Sequence, residues 1–236
     1  MKKLLLTTIA ISFIMLWAKG QDKKDNDWAN FAKYDSANKA VKQLPKVERY
    51  VVFMGNSITE GWYKQDKDFF SKNKYINRGI SGQTTSQMLV RFRKDVIELQ
   101  PKIVVILAGT NDIAGNTGYI SLENILGNLI SMCELAKTSH MIPVLCSVLP
   151  AFDYPWKSGK EPNIKIPQLN ALIKAYALKN KITYVDYFSA MTDGNNGLPK
   201  SLSHDGVHPN ADGYKVMEKM LAPILDMLLK QKLFKL

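Results

Sequence analysis

Histidine occurs only three times in the 236 residues and cysteine only twice, at Cys133 and Cys146. Neither cysteine has metal-ligand spacing, which removes a zinc-knuckle or disulfide-framework reading. A secreted chain permits a disulfide, but Cys133 falls in an expected helix and Cys146 in the strand after it, both among apolar neighbours. Two buried free thiols, acting as small hydrophobes, are therefore expected. Gly-x-Gly-x-x-Gly after the first strand is absent, so dinucleotide binding has no support. Gly-x-Ser-x-Gly is absent too, which excludes the nucleophile elbow of the α/β-hydrolases. The basic residues lie singly, with acids between them and no interleaved aromatic stripe, so nucleic acid is not an expected partner. No internal repeat or low-complexity tract is visible.

Only one long apolar run exists, at residues 4–17. Lys2 and Lys3 precede it, and Ala18 and Gly20 stand like the small residues of a cleavage site. Residues 1–20 therefore read as a secretory signal peptide, shorter than the roughly 20 apolar residues of a membrane span. The mature chain is then secreted or periplasmic, with no stable membrane insertion. Its removal takes away three lysines and no acids, leaving 29 basic against 21 acidic residues, a net +8. A basic surface of this kind favours acidic partners.

Apolar content of 46% and charged content of 22% fit an ordinary globular domain. Residues 21–46 are polar and are expected to form a loose segment with a short helix over 28–41. Residues 47–236 form the main domain. Within it, apolar runs at 50–54, 75–77, 103–108, 142–149 and 182–185 read as buried strands. Helical spacing of apolar residues covers 84–99, 122–137, 166–178 and 211–229. Continuous apolar strands alternating with amphipathic helices predict an α/β fold, a parallel sheet with helices on both faces. In such sheets functional residues gather at the carboxyl ends of the strands.

Four clusters carry chemistry. Gly55-Asn56-Ser57-Ile58-Thr59 follows the first strand and Gly79-Ile80-Ser81-Gly82-Gln83-Thr84 the second. Gly109-Thr110-Asn111-Asp112 follows the third, and Asp205-Gly206-Val207-His208-Pro209-Asn210 precedes the last helix. Ester cleavage by serine needs a base, a partner that orients the base, and donors for the developing oxyanion. Ser57 stands on a strand-to-helix turn, where backbone N–H groups face developing negative charge. Asp205 and His208 share one loop. Gly82 has no Cβ, which lets its N–H approach closely. Asn111 offers a neutral amide donor. His140 reads as a cation at a helix C-terminus, His204 has no assigned role, and Asp112 is expected to order its own loop.

These four blocks, in this order, resemble the SGNH hydrolase superfamily, the GDSL-type esterases and lipases, over residues 50 to about 225. The first block has Asn56 and Ile58 where many members have Asp and Leu, and the Asn form resembles its carbohydrate acetylesterase-like branches. The resemblance implies a three-layer flavodoxin-like fold with five parallel strands. It implies Ser57 as nucleophile, His208 as base and Asp205 as its orienting acid. The N–H groups of Ser57 and Gly82 and the Asn111 amide are implied as the oxyanion hole, with no metal or organic cofactor. The expected substrate is a small-molecule or glycan ester, short acyl groups on carbohydrate first. A lysophospholipase or thioesterase on the same triad, or a glycan-binding module without catalysis, are the alternatives. Trp62, Tyr154 and Trp156 are the candidate substrate contacts.

Overall fold

A computed structural model describes residues 27–230. The signal-peptide reading of residues 1–20 lies outside the described residues. The elements are, in order, α1 (Asp35–Gln43), β1 (Val51–Gly55), α2 (Ser57–Gln65), α3 (Lys67–Lys72), β2 (Tyr75–Gly79), α4 (Thr85–Asp95) and β3 (Ile103–Leu107). They continue through α5 (Thr110–Ile113), α6 (Leu122–Thr138), β4 (Ile142–Cys146), α7 (Pro162–Lys179), β5 (Thr183–Val185), α8 (Tyr187–Met191) and α9 (Ala211–Lys230). The five strands form one parallel sheet in the order β2-β1-β3-β4-β5. This is the expected three-layer α/β architecture.

The strands are apolar on both faces because helices cover both. Val52, Met54, Val104 and Ile106 meet Met88 and Phe92 of α4, Leu129 and Met132 of α6, and Leu169 and Ile173 of α7. Their alternating neighbours Val51, Phe53, Val105 and Leu107 meet Ile58 and Trp62 of α2, Phe70 of α3, and Met217, Leu221 and Leu225 of α9. Cys133 packs on the first side and Cys146 on the second, so the sheet separates them and both are free thiols. Burial pushes each thiol up to about 12.

Several boundaries differ from expectation, α4 among them, which ends at Asp95 and not at 99, and three of the others have a visible cause. β2 runs two residues further, through Arg78 to Gly79, because that guanidinium is buried and paired rather than solvated. β4 stops at Cys146 and not at 149. Beyond it the Asn170 side chain takes both backbone groups of Val148, at 2.8 and 2.9 Å, in place of a neighbouring strand. α7 begins four residues early, at Pro162, whose ring presets the first helical turn.

Within residues 27–43 the helix, α1, starts at Asp35, later than the expected 28, and the residues before it pack on the sheet domain. Ala29 and Asn38 are buried, and the Tyr34 hydroxyl donates to the Gly79 carbonyl at 2.5 Å. Gln83 and Gln87 donate to the carbonyls of Ala29 and Trp28. The segment thus covers the β2 and α4 side of the sheet.

Among the described residues no helix is long and apolar enough to cross a membrane.

Candidate active site

The carboxyl ends of β1, β2 and β3 lie in register, with Gly55 opposite both Gly79 and Leu107. The three motif blocks that follow these strands therefore open onto one edge. Asn56 caps α2 by accepting from the Ile58 N–H at 3.0 Å, which puts Ser57 at the first helical position. A residue there has no intrahelical acceptor for its own N–H. Gly79 permits this packing: a Cβ on it would fall 2.2 Å from the Glu60 nitrogen.

The loop before α9 brings the fourth block to the same edge. Ser57 Oγ lies 2.9 Å from His208 Nε2, and His208 Nδ1 lies 2.7 Å from Asp205 Oδ2. The second Asp205 oxygen accepts from the N–H groups of Val207 (2.9 Å) and His208 (2.7 Å). Burial works to raise the Asp205 pKa, but these bonds and the His208 ring hold it below the usual carboxylate value. Ser203, which the sequence reading passed over, closes the loop. It donates to the His208 carbonyl at 2.7 Å and accepts from Gly206 N–H at 2.9 Å. Ser203 and Pro209 form an antiparallel bridge at its neck. Only the structure could disclose this, since a lone serine carries no spacing signal.

On the opposite side Asn111 is buried, and its amide donates to the Gln83 carbonyl at 3.0 Å. An amide has two donor hydrogens, so one remains for the site. Gly82 has φ 78°, and a Cβ there would meet nothing within 4 Å. Its left-handed backbone calls for a glycine. Among the described residues no acceptor takes the N–H of Ser57 or Gly82.

A second layer, also absent from the sequence reading, holds these groups. The fully buried Arg91 donates to Gln83 Oε1 (2.5 Å), Asp95 Oδ2 (2.9 Å) and the carbonyls of Gly55 (3.1 Å) and Arg78 (2.8 Å). Asn38 bridges Asp95 and Arg78. Glu60 accepts from the N–H and hydroxyl of Ser81 at 2.7 and 2.6 Å and pairs with Lys33. Against partial burial, these partners bring Glu60 down to about 2. Asp112 does more than order its own loop. It accepts from the Thr85 N–H and hydroxyl at the start of α4, and burial raises it to about 6.

Two of the three aromatic expectations fail. Trp62 is buried in the core, donating to Glu218 at 3.0 Å and packed on Phe69 and Tyr214. Five residues along a helix turn it about 140° away from Ser57. Tyr154 is also buried, its hydroxyl bonded to Thr110 at 2.9 Å. Trp156 is exposed, stacked on Tyr154, with its ring 5.9 Å from that of His208. His140 adopts a left-handed backbone just past the end of α6, and His204 is exposed. Among the described residues no group of three or more His, Cys, Asp or Glu side chains is placed to hold a metal.

A doubly wound parallel sheet with a Ser–His–Asp hydrogen-bonded chain at its carboxyl edge is the architecture of an ester hydrolase of the three-layer α/β class. The family model described as GDSL-like Lipase/Acylhydrolase family matches residues 53–216. The chain belongs to that family and is an ester hydrolase. A crystal structure of a GDSL-like lipase from Bacteroides thetaiotaomicron superposes with a TM-score of 0.83 at 48% identity, covering 85% of this chain and 99% of that one. The platelet-activating factor acetylhydrolase IB subunit alpha2 of Homo sapiens is 25% identical over 203 residues, 82% of this chain and 83% of its own. The uncharacterized lipoprotein YqeF of Bacillus subtilis is 33% identical over 120 residues, 44% of this chain and about half (49%) of that protein's length.

Proposed function

We propose that the protein is a serine esterase that removes short acyl groups, acetyl first, from carbohydrates outside the cytoplasm. The observation that carries the mechanism is the continuous bond chain from Ser57 Oγ through His208 to Asp205, at 2.9 and 2.7 Å. His208 Nε2 takes the hydroxyl proton as Ser57 Oγ bonds to the ester carbon. The carbonyl electron pair moves to oxygen, where the N–H groups of Ser57 and Gly82 and the free Asn111 hydrogen stabilise it. Collapse expels the alkoxide, which takes the proton from His208. Water then repeats the sequence on the acyl-serine, releasing the acid. Asp205 holds the imidazole tautomer and its charged form.

The acetyl preference is supported by likeness to an acetylhydrolase. The carbohydrate preference rests on the exposed Trp156 face beside His208, since a flat indole suits a sugar ring. An acetylated lipid is the second reading, favoured by the same relative. Location outside the cytoplasm rests on the N-terminal sequence and on likeness to a lipoprotein.

The test is hydrolysis of p-nitrophenyl esters from acetate to palmitate beside the Ser57→Ala protein. Turnover should fall steeply with chain length and drop by roughly 10⁵–10⁶ in the variant. A normal rate in Ser57→Ala overturns the mechanism, and a preference for long chains moves the substrate to lipids or thioesters.

A further inference from the structure

Next to this edge lies a cavity of about 350 Å³ that the proposed reaction does not use. Lys157, Lys160 and Lys165 line it, with the exposed Tyr119 ring, Ile120 and Asp112. Part of its wall comes from the loops around Tyr119 and Lys157, and the rest from α5, α6 and α7. Asn116, on the Tyr119 loop, donates to the Gly82 carbonyl at 3.0 Å. Lys157 directly follows Trp156, the residue beside His208.

The charge balance of the cavity is one-sided. Lys165 pairs with Glu161 at 3.2 Å, but among the described residues Lys157 and Lys160 stand in no ion pair. Lys157 gives one proton to the Gly115 carbonyl at 2.8 Å and keeps two. Lys157 and Lys160 are partly buried, while Lys165 also donates to the Lys160 carbonyl at 2.9 Å, so the unpaired charge in the wall belongs to Lys157 and Lys160. The one carboxylate in the wall, Asp112, is 2% exposed and turned to Thr85. The cavity therefore presents cations around an apolar and aromatic surface. That is the chemistry of a sugar ring carrying an acidic group.

We propose that this cavity holds the carboxylate of a uronic acid unit in the alcohol portion of the ester, making the substrate an O-acylated acidic glycan. The proposal rests on the esterase reading above. The alcohol side is assigned because His208 must reach the leaving oxygen, and the cavity residue Lys157 directly follows Trp156, whose ring lies 5.9 Å from that of His208.

The experiment compares an O-acetylated oligogalacturonide with its carboxyl-methylated form, in turnover by the parent protein and in calorimetric binding of the deacetylated pair to Ser57→Ala. The free acid should be preferred about tenfold in kcat/KM and in Kd, the size of two partly screened charge contacts. The preference should shrink in 0.5 M NaCl, as exposed charges are screened. Lys160→Gln, which breaks no bond in the fold, should cut the acid-over-neutral ratio severalfold, and Lys157→Gln should cut it further. Equal treatment of acid and methyl ester, with p-nitrophenyl acetate still cleaved, overturns the cavity assignment and leaves the esterase reading standing. Selective binding of the acid by a protein that cleaves no ester has the reverse meaning. Faster turnover of an acetylated glycerophospholipid than of either glycan also overturns it.

Discussion

Asn111 is 3% exposed and meets its partners inside the fold, whereas the Asp205 and His208 side chains are 40% and 36% exposed. The two sides of the site thus face different demands. On the Asn111 and Gly82 side, the groups proposed to receive the oxyanion are fixed by a buried network running from Asn111 through Gln83 to Arg91 and Asp95. Such donors act without reorganising, which is what stabilises a charge that exists only briefly. On the His208 side, a short loop closed by Ser203 holds the group proposed to accept and return a proton. Contact with water lets it change charge without the desolvation cost that a buried site imposes. Rigid burial suits the group whose charge never changes, and exposure suits the group whose charge must.

This contrast can be broken at either side. Asp205→Asn should lower turnover by about 10⁴, through loss of the tautomer, with little change in Tm because the Asn oxygen can still accept from the Val207 and His208 N–H groups. A large Tm loss with modest kinetic loss would erase the distinction. Arg91→Met should do the opposite, lowering stability by about 3–5 kcal/mol because Asp95 is left as an uncompensated buried charge. Denaturant unfolding measures this, and Arg91→Met combined with Asp95→Leu should recover much of the loss. A double variant no better than the single one would place the cost in the lost bonds to Gln83 and Gly55 instead. The smallest effect concerns Asp112. Burial raises its pKa from 3.8 to about 6, so the folded chain keeps this proton to higher pH than the unfolded chain. Stability should therefore fall as pH rises from about 4 to about 6 and level off above, a trend that Asp112→Asn abolishes. Calorimetric Tm values at intervals of pH check it, and a pH-independent gap between parent and variant would refute it.

The sequence disclosed the sheet because β1, β3 and β4 are strongly apolar runs, whereas β2, with Asn77 and Arg78, was legible only over its first three residues. Ser57, Asn111 and the Asp205–His208 pair stood out as candidates because they adjoin strand ends or a helix start, and the structure places them at one edge of the sheet. The short helices α3, α5 and α8 were invisible, being six, four and five residues long, too brief for a periodic pattern. Trp62 was misplaced because nearness in sequence to Ser57 ignores the turn of the helix between them. Arg91 and Ser203 were missed for a different reason. Their partners are distant carbonyls, or atoms in a loop whose closure depends on the whole fold, and no local spacing encodes either.

The closed neck at Ser203 and Pro209 has a consequence for how the molecule loosens. Asp205 and His208 are joined to each other inside one turn, but to Ser57 only across 151 positions of chain. Any opening of α9 and its leading loop from the sheet edge would part Ser57 from His208 while leaving the His208–Asp205 bond intact, so reclosing would have one distance to restore instead of two.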